Sequence, residues 1–131
     1  MAVIAWTKVD PPSPNQPVTG VIIIQWILPA SGDSGVPYLA PQYSGKVVQI
    51  SGTAGAGDII LMEGSLDPGA SPGFGTLHDP QGNDISLVTA DITAKKLEQV
   101  LEDCYQIRPR MTAGTAVNVV IQLMITTSAR R

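Results

Sequence analysis

Apolar residues along the chain fall into short runs that are separated by turn-forming clusters. Residues 21–28 read VIIIQWIL, in which only Gln25 is polar, and Pro29 ends the run. Other strand-like runs bounded by Gly, Pro, Asn or Asp lie at 46–52, 58–65, 85–90, 105–112 and 116–128. In the last of them, every second residue from Val117 to Ile125 is apolar. This period of two is typical of a β-strand with one buried face.

One segment has a different period. Apolar residues recur there at helical spacing, with charged residues between them, at Leu97, Val100, Leu101 and Cys104. The spacing predicts a short amphipathic helix over about 93–103, with Asp91 or Thr93 as the N-cap. A strand followed by a turn is the alternative, because an all-β surrounding can override helix propensity.

Many short strands, frequent turn signals and a single helix candidate predict an all-β fold. We expect an antiparallel β-sandwich, either jelly-roll-like or immunoglobulin-like. The length of 131 residues and the lack of an internal repeat indicate one domain over residues 1–131. The proline-rich segments 10–19 and 29–45 are expected to be arms or loops outside the core.

The run at 21–28 has too few polar residues for a strand with one wet face. Successive side chains of a strand point to opposite faces, so one set of alternate residues faces the core. If the even positions face the core, the outward positions are Val21, Ile23 and Ile27. These three side chains need a cover, which a second copy, a partner protein or the 29–45 segment could supply.

Composition supports a covered surface. The chain is 44% hydrophobic and only 15% charged, against about 25% charged in ordinary soluble domains. The net charge is −3, and the sequence has no run of basic residues other than the terminal pair Arg130 and Arg131. A nucleic-acid surface needs clustered positive charge, so none is expected.

The apolar runs are shorter than the roughly 20 residues of a membrane-spanning helix, and the start of the chain lacks signal-peptide features. We therefore expect synthesis in the cytoplasm.

Residue types that carry catalysis are few. His78 is the only histidine and lies in a predicted turn, TLHDPQGND, where a polar loop role is expected. Cys104 is the only cysteine, so no intrachain disulfide can form, and a buried inert thiol is favoured over a reactive one. The segment 52–57, GTAGAG, lacks the spacing of a phosphate-binding loop and is read as a hairpin turn.

The acidic residues do not form a metal motif. Carboxylates stand at 58, 63, 67, 79 and 84, without the Asp-x-Asp-x-Asp-Gly spacing of a calcium loop. The sequence therefore predicts no catalytic site, no bound metal and no cofactor, and the protein is not expected to be an enzyme.

Aromatic residues and arginines offer contact sites. Trp6 and Trp26 are expected to anchor the core or an interface, with a carbohydrate platform as the alternative. In QIRPR, Arg108 and Arg110 lie on one face of a strand, and Pro109 suggests an edge strand or a bulge. The two arginines would either be solvated or meet carboxylates of a partner.

Several motifs in residues 44–131 together resemble one protein family. These are VQISG, the strand exit EGS followed by Asp67, LHDPQGN, IRPRMTAG and a β-rich end that closes in Ala-Arg-Arg. The pattern resembles the small decoration or cement proteins of tailed-bacteriophage heads. The proline-rich start and the charged segment KKLEQVLED depart from it.

The resemblance implies a structural virion protein that binds the outer surface of a capsid. It would clamp neighbouring subunits of the major capsid protein, as a homo-oligomer, a dimer or a trimer at a symmetry axis. The alternative is a carbohydrate- or receptor-binding β-sandwich module of a phage tail or fibre. The residues expected at a partner interface are Val21, Ile23, Ile27, Tyr38, Tyr43, Arg108 and Arg110.

Overall fold

The structure, a computed structural model, describes residues 2–9, 21–39, 43–67, 69 and 73–127. Within these residues the chain forms two β-sheets and one short helix, α1 (Thr89–Ala94). Sheet A contains β1 (Val3–Ile4), β4 (Ser34–Gly35), β5 (Tyr38–Leu39), β7 (Ile59–Ser65), β8 (Gly75–Thr76), β9 (Ser86–Val88) and β11 (Gln106–Ala113). Sheet B contains β2 (Thr7–Val9), β3 (Val21–Leu28), β6 (Tyr43–Thr53), β10 (Leu97–Gln99) and β12 (Val117–Thr127).

The sheets are built almost entirely from antiparallel pairs. Sheet B has the order β10-β6-β12-β3-β2, and all its neighbouring strands are antiparallel. Sheet A has the order β1-β4-β11-β7-β8, with β5 also paired to β11 and β9 to β7. Among the described strands, only β1 and β4 pair in parallel. The predicted all-β sandwich is therefore confirmed.

The core lies between the two sheets and contains alternate residues of the longer strands. Side chains with no exposed surface are Ile24, Trp26, Leu28, Val48, Ile50, Val119, Ile121, Leu123 and Ile125 from sheet B, and Ile60, Met62, Ile107 and Met111 from sheet A. Each such side chain contributes about 1.5–3 kcal/mol when it leaves water. The indole Nε1 of Trp26 also donates a hydrogen bond of 2.9 Å to the Val36 carbonyl, which connects sheet B to the β4–β5 edge of sheet A.

The period-two pattern of the last strand is confirmed with one exception. Val119, Ile121, Leu123 and Ile125 are fully buried, but Val117 is 51% exposed. The register of β12 against β6 shifts between Val117 and Val120. Asn118 in this irregularity has a positive φ of 54°, so the bulge turns Val117 away from the face that its spacing predicts.

The helix prediction is wrong in position. The helix covers Thr89–Ala94, and Leu97–Gln99 is instead β10, paired with Val47–Gln49 of β6. Lys95 ends the helix in the left-handed conformation. Asp91 does not act as the N-cap; its carboxylate accepts the Val88 N–H at 2.9 Å from inside the first turn. The alternative of a strand followed by a turn is confirmed, because the edge of β6 supplies the backbone partners with which β10 pairs.

The segments predicted as loops have different outcomes. Residues 10–19 lie outside the described residues. The segment 29–45 is not wholly irregular, since it contains β4 and β5 and the start of β6. Both short strands pair with β11 and so extend sheet A.

Candidate functional site

The outer face of sheet B is a surface whose residues can be read from the strand registers. Four rows of outward residues cross it: Gly45–Thr126–Val21, Gln99–Val47–Met124–Ile23–Val9, Leu97–Gln49–Gln122–Gln25–Thr7 and Ser51–Val120–Ile27. We call these residues the sheet B face. None of them is charged, although the chain carries charges elsewhere along its length.

Several apolar side chains of the sheet B face are exposed. Leu97 is 61% exposed, Ile27 42% and Met124 37%. A shallow groove of about 160 Å³ lies between Ile23, Val47, Leu97 and Met124, and all its lining residues belong to sheet B. An apolar groove on a charge-free face is typical of a surface that contacts another molecule.

A row of glutamines crosses the centre of the sheet B face. Gln49, Gln122 and Gln25 stand opposite one another on β6, β12 and β3. The Gln122 Nε2 donates to the Gln25 Oε1 at 3.0 Å, and the Gln49 Nε2 donates to the Lys95 carbonyl at 3.0 Å. Each amide both donates and accepts hydrogen bonds, so the row can pair with polar groups of either kind.

The residues predicted for a partner interface do not form one site. Val21, Ile23 and Ile27 all face outward on sheet B, as their odd positions predict. Tyr38 is half-buried on sheet A and meets Trp6 edge-on, with ring centroids 4.9 Å apart. The side chain of Tyr43 lies outside the described residues.

The two arginines are on the opposite sheet from the sheet B face. Arg108 and Arg110 both bind the carboxylate of Glu63 on β7, whose side chain is only 5% exposed. Their Nη2 atoms lie 3.0 Å from Oε1 and 2.8 Å from Oε2, respectively. The Arg108 guanidinium also lies 3.9 Å from the centre of the Phe74 ring. The carboxylate that the arginines meet is therefore their own chain's.

Of the two alternatives that Pro109 suggests, an edge strand or a bulge, the edge strand is wrong, and the register of β11 against β7 shifts only further along, between Met111 and Ala113. Strand β11 pairs with β7 on one side and with β4 and β5 on the other. Pro109 lies between Arg110, which pairs with Ser34, and Ile107, which pairs with Tyr38. The missing N–H of the proline is tolerated because the neighbouring edge is broken between its two short strands.

The alternation of residues along each strand is the sequence signal that could have identified the other residues of the sheet B face. In β12, Val120, Gln122 and Met124 alternate with the buried residues, and Val47 does the same in β6. The alternation in the sequence identified the buried set of β12 but did not reveal which strands lie beside it. The helical spacing predicts a helix at Leu97, so the sequence does not indicate its place at the edge of this face.

His78 joins two segments through both nitrogens of its ring. Its Nδ1 contacts the Glu102 Oε2, and its Nε2 lies 3.1 Å from the Asp84 Oδ1. The Glu102 carboxylate also accepts the His78 backbone N–H at 2.8 Å. Both ring nitrogens face carboxylates, which favours the doubly protonated form of the ring. The hydrogen bond to Glu102 raises the pKa of His78, and the charges of Glu102, Asp84 and Asp79 add to this effect.

Asp58 is a buried carboxylate that holds two turns and the start of α1 together. It accepts hydrogen bonds from the backbone of Gly55, Thr115 and Ala116 and from the Thr89 hydroxyl, at 2.7–3.1 Å. Burial raises the pKa of Asp58, but the hydrogen bonds outweigh burial and leave the pKa below its ordinary value. The residue therefore has a structural role.

Cys104 is buried beside a cavity. Its exposure is 7%, and burial raises the pKa of the thiol. The cavity of about 250 Å³ is also lined by Ser65, Leu77 and Glu102. Nearby, the fully buried Lys46 ammonium lies 3.0 Å from the Asp103 carboxylate. These facts fit the inert thiol favoured from the sequence.

Three other kinds of site were also considered from the sequence: a metal site, a membrane-spanning helix and a sugar-binding tryptophan. In the part of the chain that the structure describes, no group of three or more His, Cys, Asp or Glu residues is placed to hold a metal ion. No helix among those residues is both long and apolar enough to cross a bilayer. Trp26 is fully buried and cannot stack on a sugar, whereas Trp6 is 37% exposed.

Comparisons with known proteins give no family. No protein-family model matches the chain, and no curated protein matches it.

Proposed function

We propose that the chain is a decoration protein of a phage head, which binds the outer surface of the capsid and clamps neighbouring major capsid protein subunits. The observation that best supports this function is the sheet B face, an uncharged surface with exposed Ile27, Leu97 and Met124. Such a surface is stabilised when another protein covers it, because apolar area then leaves water.

The polar groups of the described residues support a structural role. Glu63, Asp58 and His78 each have hydrogen-bonded or ionic partners that hold strands or turns of the same chain together. A clamp needs a rigid body and a contact surface, and it needs no group that reacts. Binding only to the assembled shell stabilises that shell by mass action, and repetition over many sites adds avidity.

The substitution Ile23→Asp tests the proposal. Ile23 points outward on sheet B, so a charge there leaves the core intact but must be desolvated in the contact. Purified Ile23→Asp protein, added to heads that lack the protein, is expected to show at least about tenfold lower occupancy by co-sedimentation. Circular dichroism checks that the variant is folded.

The matched control is Ser86→Asp, which places the same charge on the exposed outer side of sheet A. It is expected to decorate heads at normal occupancy. Normal occupancy of Ile23→Asp, or absence of the wild-type protein from purified virions, would contradict the proposal. Binding to a glycan that is lost on Trp6→Ala, with no binding to heads, would favour the tail or fibre module instead.

A further inference from the structure

We infer that the sheet B face is covered by a second copy of this chain, in a two-fold dimer that packs sheet B against sheet B. The inference rests on the proposed function, because it assigns the sheet B face to the contact between two decoration subunits, so that the dimer rather than the single chain clamps the capsid. It follows from the charge, the symmetry and the size of the face.

The first argument is charge. A two-fold interface brings the same patch of both copies together, so like charges near the axis repel. The four rows of the sheet B face carry no charged side chain. A charged partner would find no opposite charge on this face to bind. A second, identical face is also neutral and meets it without repulsion.

The second argument is the order of the rows. The glutamine row lies between a row that contains Met124 and Ile23 and a row that contains Val120 and Ile27. A two-fold axis along the glutamine row places Met124 over Val120 of the second copy, and Ile23 over Ile27 of the second copy. Apolar side chains then meet apolar side chains on both sides of the axis.

The glutamines complete this pairing. Along the axis, the Gln122 amide of one copy faces the same amide of the other. An amide has both donor and acceptor groups, so two identical amides can hydrogen-bond to each other. The existing bond from the Gln122 Nε2 to the Gln25 Oε1 occupies one donor and leaves the Gln122 Oε1 to accept.

The third argument is size. With strands about 4.8 Å apart and outward residues about 7 Å apart, each outward position covers on the order of 30 Å². The three rows that meet across the axis hold 13 outward positions and cover roughly 400 Å² of flat sheet in each copy and roughly 800 Å² in both. Side chains project from the sheet plane and add to this flat area, so the buried surface approaches the lower bound of about 1,000 Å² for a specific interface. Face-to-face packing of aligned sheets is a common arrangement.

Gln122→Glu tests the dimer. Glutamate has nearly the shape of glutamine, and position 122 faces outward, so the fold is retained. At neutral pH two carboxylates would meet at the axis. Sedimentation equilibrium of the full chain is expected to show a dimer for the wild type and a dissociation constant raised about a hundredfold for Gln122→Glu. Lowering the pH until the introduced carboxylates are protonated is expected to restore the dimer.

Ser86→Glu is the matched control, since it adds the same charge to the outer side of sheet A and is expected to leave the dimer unchanged. A wild-type monomer at every concentration overturns the dimer. So does a Gln122→Glu protein that dimerises as the wild type does, or a monomeric Ser86→Glu protein.

Head binding separates this inference from the function. A monomeric wild-type chain that decorates heads, and loses occupancy on Gln122→Glu, would give the face to the capsid and overturn only the dimer. A wild-type dimer that does not bind heads would overturn the proposed function and leave the dimer standing.

Discussion

At the residue scale, Asp58 shows how one carboxylate can set the local structure. Its two oxygens accept hydrogen bonds from three backbone amides and one hydroxyl. These donors belong to the turn before β7, the turn between β11 and β12, and the start of α1. Gly114 in the second turn has a φ of 111°, and a Cβ there would collide with Asp58, so glycine is required for the close approach.

We expect Asp58→Asn to lower the free energy of unfolding by about 2–3 kcal/mol, because the Asn NH2 group cannot accept the hydrogen bonds that one carboxylate oxygen now receives. Denaturant unfolding followed by tryptophan fluorescence measures the change. Asp67→Asn is the control; Asp67 is exposed, and its carboxylate accepts the Gly69 N–H at 2.8 Å within its own turn.

The pH dependence of this difference has a defined sign. The folded-state pKa of Asp58 is lowered, so its stabilising effect is present above the unfolded-state pKa and is lost as the pH falls through the folded-state pKa. Wild type and Asp58→Asn should therefore converge in stability at acid pH. A constant difference down to the acid transition would mean that the Asp58 charge is not the stabilising feature.

At the scale of the secondary-structure elements, the conformation of the segment from Leu97 to Cys104 depends on the strand beside it. The helical spacing of Leu97, Val100, Leu101 and Cys104 was genuine, yet Leu97 and Leu101 are exposed while Val100 and Cys104 are buried. The edge of β6 supplied backbone partners that local sequence cannot encode, including the Val100 N–H bond to the Lys46 carbonyl. Pairing with β6 gives the backbone groups of this segment their hydrogen-bond partners without a helix.

The His78 contacts link the turn at 78–84 to the segment that carries Cys104. We expect wild-type stability to fall as the pH rises through the folded-state pKa of His78, because that pKa is raised above its unfolded value. His78→Gln should remove this part of the pH dependence. Thermal unfolding of both proteins across neutral and alkaline pH measures it.

Cys104 gives a local readout of the same contacts. It is the only cysteine of the chain, so the rate of maleimide labelling reports opening of the segment around it. Labelling should be faster in His78→Gln and, as a matched removal of the same ion pair, in Glu102→Gln. Unchanged labelling in both variants would show that the His78 contacts do not hold this segment closed.

At the scale of the whole molecule, the spacing of the two sheets is set by close contacts between them. Gly35 on sheet A lies against the Trp26 ring of sheet B, and a Cβ there would also lie 2.7 Å from the Pro109 Cδ. Gly35→Ala is expected to destabilise the fold by about 1–3 kcal/mol, because neither ring can move without disturbing the core. Thermal unfolding compares it with Gly75→Ala, where a Cβ meets nothing within 4 Å. Equal stability of the two variants would contradict a tight sheet contact at Gly35.

The sequence by itself determined the strands that alternate between buried and outward residues, such as β3 and most of β12, because side-chain period follows directly from backbone geometry. It also determined that Ile23 and Ile27 lie on the same face of β3, and the structure decided that this face points outward. Only the tertiary structure decided that Glu63 lies between Arg108 and Arg110, and that Val47, Met124 and Ile23 form one row. These neighbours are far apart in the chain, and strand order, which local periodicity does not encode, brings them together.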